Sequence, residues 1–112
     1  MDSDKLALLG EAGATGLARG IYIVIREEKF RHALEDELAH WRYFQKRSKS
    51  ILERPVYFAL LLFGIAVALF GRGVTRRVVN YLEAKAIEFY LSHYDLNGDI
   101  KMIVEQEKDH II

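Results

Sequence analysis

Apolar residues recur along most of the chain at intervals of three and four. Ala33, Leu34, Leu38, Trp41 and Phe44 form one such stripe, with Gln45 next to its end. That spacing marks a helix that buries one face. Two-residue alternation, the mark of a half-buried strand, is nearly absent. The one strand-like run, "IYIVI" (Ile21 to Ile25), is too isolated to build a sheet. The pattern therefore predicts an all-α protein. Helix A covers about residues 3–26 with Ser3 as its N-cap, and helix B about 28–50 after a turn at "REEKF". Helix C covers about 74–94 and helix D about 99–112. "DLNGD" (Asp95 to Asp99), with Asn-Gly at its centre, turns the chain between them.

Between B and C the pattern changes. "RPVYFALLLFGIAVALFGRG" carries no charge from Val56 to Phe70. It predicts an apolar helical crossover over about 55–71, with a bend at Gly71 and Gly73. A spanning helix needs about 20 apolar residues, so this run is short for a span. We read it as a helix lying in or on a membrane, or buried at an interface. An ordinary buried helix and a true span are the alternatives. Its expected membrane contacts are Val56, Tyr57, Phe58, Leu61, Leu62, Phe63, Ile65, Val67, Leu69 and Phe70.

Helix A holds Gly10, Gly13, Gly16 and Gly20. A glycine inside a helix costs roughly 1 kcal/mol against alanine. Close approach of a second helix is the usual compensation.

At 112 residues, 51% of them hydrophobic and 29% charged, the chain has the size and balance of one globular domain. It has no cysteine. Thiolate metal sites, iron–sulfur clusters, disulfides and a cysteine nucleophile are thereby excluded. The acidic start "MDSDKLALL" does not read as a secretory signal. Net charge is zero but uneven. From Arg42 to Arg77 eight basic residues face one acid, Glu53. A basic belt around bare hydrocarbon suits an anionic membrane surface. Nucleic acid is not an expected partner.

The candidate chemistry lies in two copies of Glu-x-x-His. Glu37 and His40 stand on helix B, Glu107 and His110 on helix D. Three residues apart on a helix, each pair shares one face. A single copy arises easily on a solvated helix face. Two copies on separate helices become informative when the other two helices each supply a carboxylate, because ferritin-like di-iron bundles are built that way. Helix A offers Glu11, the only acid between Asp4 and Glu27. Helix C offers Glu83 or Glu88. Glu11 precedes Glu37 by 26 residues and Glu83 precedes Glu107 by 24, a match that Glu88, at 19, does not make. The candidate ligands are Glu11, Glu37, His40, Glu83, Glu107 and His110, with Glu88 as the rival of Glu83. Four carboxylates and two imidazoles suit two iron ions, or manganese, and Glu37 and Glu107 could bridge them. Unneutralised, four buried carboxylates would repel one another. His32 reads as a surface residue. His93 and Tyr22 are candidates for a place facing the substrate or behind the ligands. No P-loop, GxGxxG or Ser–His–Asp pattern supports other chemistry.

These segments resemble the demethoxyubiquinone hydroxylase family, membrane-associated di-iron monooxygenases of ubiquinone biosynthesis. The resemblance rests on "GEAGATGLARGIY" (Gly10 to Tyr22), the Arg-Pro, apolar and Gly-rich segment from Arg54 to Gly73, "YLEAKAIEFYLSHY" (Tyr81 to Tyr94) and "VEQEKDH" (Val104 to His110). It covers nearly the whole chain, and the order of the motifs is its specific part. It implies a ferritin-like four-helix bundle with iron at the six candidate ligands. It also implies dioxygen as co-substrate and hydroxylation of a polyprenyl quinone precursor. The expected setting is the inner face of an energy-coupling membrane, bacterial or mitochondrial, with a homo-dimer or biosynthetic complex as a further partner. Measured back from "SHY", Glu88 becomes the better ligand of helix C; measured forward from "FGRG", Glu83 does. A ferritin-like oxidase or peroxidase without organic hydroxylation, and a non-enzymatic helical membrane adaptor, are the alternative functions.

Overall fold

A computed structural model describes residues 2–112. Its five helices are α1 (Ser3–Val24), α2 (Glu28–Gln45), α3 (Glu53–Leu69), α4 (Arg72–His93) and α5 (Gly98–Asp109). No strand occurs among the described residues, and "IYIVI" lies at the end of α1.

Local chemistry explains the boundaries. Asp2, not Ser3, caps α1: its Oδ1 accepts the Lys5 N–H at 2.8 Å. Helix α2 stops at Gln45, five residues before the expected end. The run "KRSKS" that follows offers no apolar face to bury, and the Phe44 carbonyl accepts the N–H groups of Arg47 and Ser48 to close the turn. Pro55 is the third residue of α3, in the first turn, where its missing N–H breaks no helical bond. Gly71, at φ +103°, leads into α4, and Gly98, at φ +53°, opens α5. Neither conformation suits a side chain.

Packing starts from α1, which lies closest to α3 and then α2. The α1–α3 contact is made by backbone. A Cβ on Gly16 would run into the Tyr57 carbonyl oxygen, and one on Gly20 into that of Leu61. From the other side, a Cβ on Gly64 would meet the Leu17 carbonyl. These glycines return their propensity cost as close helix approach. Helix α4 pairs with α5 and meets α1 only sparsely.

Two apolar layers result. One joins Ala7, Leu8, Phe44, Tyr90, Ile100, Ile103 and Val104. The other joins Leu17, Ile21, Ile25, Phe30, Ala68 and Val79. On α1, α2 and α4 the acids Glu11, Glu37 and Glu83 fall between residues of the first layer and residues of the second.

No helix among the described residues is long and apolar enough to cross a membrane. On α3, Phe58, Leu62, Phe63 and Leu69 are exposed, as is Phe70 just beyond its end. Val56, Tyr57, Leu61 and Ile65 are half-buried. Val67 departs from the expected outward set: it is buried, because the side of α3 that carries Gly64, Val67 and Ala68 is turned into the protein.

Candidate metal centre

Four helices deliver the polar layer. Helix α1 contributes Glu11, α2 contributes Glu37 and His40, α4 contributes Glu83, and the end of α5 contributes Glu107 and His110. All are buried except Glu83, whose side chain keeps 12% of its exposure. All six expected ligands meet here. Glu88 does not: it is exposed and pairs with Lys85 at 3.7 Å.

The donor atoms form two quartets. One is Glu11, Glu37, His40 and Glu107; the other is Glu37, Glu83, Glu107 and His110. Within each, one donor atom per residue lies within 4.8 Å of the others. Glu37 and Glu107 belong to both. A buried Glu/His group of this kind can hold a metal ion.

Both imidazoles turn Nδ1 inward. His40 Nδ1 lies 3.0 Å from Glu37 Oε1 and 3.3 Å from both Glu11 Oε2 and Glu107 Oε1. One ring proton cannot serve three carboxylates. His110 Nδ1 lies 3.7 Å from Glu83 Oε1 and 3.7 Å from Glu107 Oε1. Glu83 Oε2, Glu107 Oε1 and His110 Nδ1 are buried without a hydrogen-bond partner. Orphaned acceptors that converge like this are costly unless a cation satisfies them.

Outer contacts orient the rings. His40 Nε2 is 2.6 Å from Gln106 Oε1, and His110 Nε2 is 3.0 Å from Asp36 Oδ2. In each case Nε2–H donates outward and Nδ1 faces the centre, where it carries a proton or, with that proton lost, can offer its lone pair to a cation. The Tyr90 hydroxyl donates to Glu11 Oε2 at 2.7 Å. Sequence reading missed Asp36, Gln106 and Tyr90 in these roles. The spacing of Asp36 on α2 and Gln106 on α5 says nothing about which histidine of another helix each will meet.

Burial and crowding shift the ionisations. Glu37 is raised to about 7, first by burial and then by the charge of Glu11. Glu83 is raised to about 8, by burial and then by Glu107. Glu107 is raised well above the carboxylate range by burial and by Glu37 and Glu11. Burial alone would lower both histidines. The carboxylates of Glu107, Glu11 and Glu37 outweigh it at His40 and hold its proton strongly. Glu83 and Asp36 do the same for His110, at about 9. Protons thus supply the positive charge when no cation does.

A cavity of about 630 Å³ reaches this cluster. Its walls are mostly apolar: Leu9, Ala14, Leu17 and Ile21 of α1, Val56 and Leu60 of α3, Val79, Leu82, Ala86 and Phe89 of α4. Glu11, Glu37, Glu83, Glu107 and His110 also line it. The sparse approach of α1 to α4 leaves this space. Tyr22 and His93 do not line it. Tyr22 lies under the Arg26 guanidinium, and exposed His93 stacks on Phe89.

Comparison with family models, curated proteins and solved structures returns no match.

Proposed function

We propose that this chain is a dioxygen-dependent di-metal monooxygenase, with iron or manganese as the metal. Its substrate would be a membrane-borne apolar ring compound, a polyprenylated quinone precursor as in the family it resembles. The observation that carries the reading is the sharing of Glu37 and Glu107 between two ligand quartets. A mononuclear site has no need of a second quartet, and a structural ion has no need of an apolar cavity against it. In this reading the molecule is a ferritin-like bundle, α1–α2 and α4–α5 being its hairpins and α3 the apolar crossover.

Two such ions would supply the electrons that activate dioxygen. Glu11 and His40 would hold one ion, Glu83 and His110 the other, with Glu37 and Glu107 within reach of both. The protein's own work is positioning. Gln106 and Asp36 lock the imidazole rings, and Tyr90 holds one oxygen of Glu11. The two apolar layers flank the centre on either side. The walls formed by α1, α3 and α4 would take up the apolar substrate and bring its ring to the carboxylates that line the cavity.

The exposed residues of α3 and the exposed arginines Arg54 at its start and Arg76 and Arg77 on α4 support docking on an anionic membrane, Arg72 being paired with Glu27. Val56 and Leu60 line the cavity from the same helix, so a lipid-borne substrate would pass from that face inward. The apolar cavity favours this reading over a ferritin-like oxidase that acts on no organic substrate.

Elemental analysis of protein made in iron-replete medium and purified in mild detergent tests the reading. About two ions per chain are expected, falling sharply in Glu107→Ala. Folded protein that takes up no metal after anaerobic ferrous loading would overturn it and leave a non-enzymatic adaptor. Metal uptake without hydroxylation of a short-chain demethoxyquinol would leave the oxidase.

A further inference from the structure

The four glycines of α1 do not have one explanation. Gly16 and Gly20 are required by the backbone of α3, and a Cβ on Gly13 would press on Val56 and Leu60. Gly10 is different. A Cβ there would meet nothing within 4 Å, and its φ is ordinary for a helix. It lies well inside α1, where glycine is the costliest residue after proline. Helix packing gives nothing in return. What Gly10 does share with its neighbours is the cavity: exposed itself, it lies on the cavity's open side between Leu9 and Glu11, and Ala86, Phe89 and Tyr90 of α4 also contribute to that cavity.

We propose that Gly10 sets the width of the cavity mouth beside Glu11, its missing side chain admitting a bulky or flat apolar group to the Glu11–Tyr90 side of the centre. A side chain at position 10 would stand in the space that such a group occupies. A thin linear chain could pass a modest side chain there; a substituted ring could not. Gly10 is thus a specificity-determining residue. The inference rests on the reading of the cavity as a substrate site.

The test uses the full chain in mild detergent with two probes, a short-chain prenylated benzoquinone and a linear fatty alcohol of similar length. Gly10→Ala removes the glycine cost and meets no atom, so its melting temperature should rise by about 4 °C. Gly10→Leu should keep wild-type metal content and lose about tenfold or more in affinity for the benzoquinone. Its affinity for the linear alcohol should change by less than about threefold.

Equal benzoquinone affinity in Gly10→Leu and wild type would overturn the inference and leave the cavity reading standing. So would a drop in melting temperature in Gly10→Ala, which would make Gly10 a packing residue. Wild-type protein that binds neither probe would overturn the substrate reading itself, and this inference with it. Should Gly10→Leu fold poorly, Gly10→Val provides the same comparison with a smaller side chain.

Discussion

Asp36 Oδ2 stands 3.0 Å from His110 Nε2, while the corresponding atom of His40 faces only the neutral amide of Gln106. A carboxylate behind an imidazole makes it a stronger donor than an amide does. The two halves of the centre are therefore unequal. Asp36→Asn should weaken binding at the Glu83–His110 position by about 10–100-fold and leave the Glu11–His40 position nearly unchanged. Stepwise metal titration by calorimetry would show this as one weakened step of two. Uniform weakening of both steps would refute it.

The buried carboxylates set a conflict between stability and metal binding. Glu107 sits in both quartets and has an oxygen with no hydrogen-bond partner. Glu107→Gln keeps the shape and removes one buried acid. The metal-free variant should melt several degrees above metal-free wild type, while its metal content collapses. Thermal unfolding in chelator, beside elemental analysis, checks both halves.

Metal-free protein should lose stability as pH rises. Glu37 and Glu83 are lifted in the folded state to about 7 and about 8, from an ordinary value of 4.5. The folded chain therefore keeps protons that the unfolded chain releases above about pH 4.5. His110, raised from 6.5 to about 9, acts in the same direction. Stability should be highest near pH 5 and fall progressively toward pH 9. Bound cations would take over the charge of these protons, so metal-loaded protein should have a much flatter profile. Denaturant midpoints at pH 5, 7 and 9, with and without metal, measure the difference.

Tyr90→Phe removes the 2.7 Å hydrogen bond to Glu11 Oε2 and leaves that oxygen with His40 Nδ1 at 3.3 Å. Leaving a buried carboxylate oxygen short of a donor costs about 1–3 kcal/mol. The variant should be destabilised by that order and should lose metal first from the Glu11–His40 position. An unchanged denaturation midpoint would show that the bond contributes nothing.

Gly16→Ala places a methyl group where the Tyr57 carbonyl stands. α1 and α3 must separate, at a cost of several kcal/mol of core packing. The same substitution at Gly10 should be stabilising. Circular dichroism melts of the two variants, run side by side, should move in opposite directions.

The helices were legible because their period is local. Apolar spacing on α2, the charge-free stretch of α3 and the Asn-Gly turn before α5 depend only on near neighbours. The end of α2 was misplaced for the same reason: whether residues 46–50 find a surface to bury is a tertiary matter. The set Glu11, Glu37, His40, Glu83, Glu107 and His110 could be assembled from type, spacing and resemblance. The choice between Glu83 and Glu88 was decided by tertiary structure. Five residues turn a helix by about 500°, and only the rotation of α4 against α5 puts one of them inside. Asp36, Gln106 and Tyr90 came from the same source, since each acts across an interhelical gap. So did the split among the glycines of α1. In sequence the four are alike, and only the distance to α3 separates those that let two backbones touch from the one that faces a cavity.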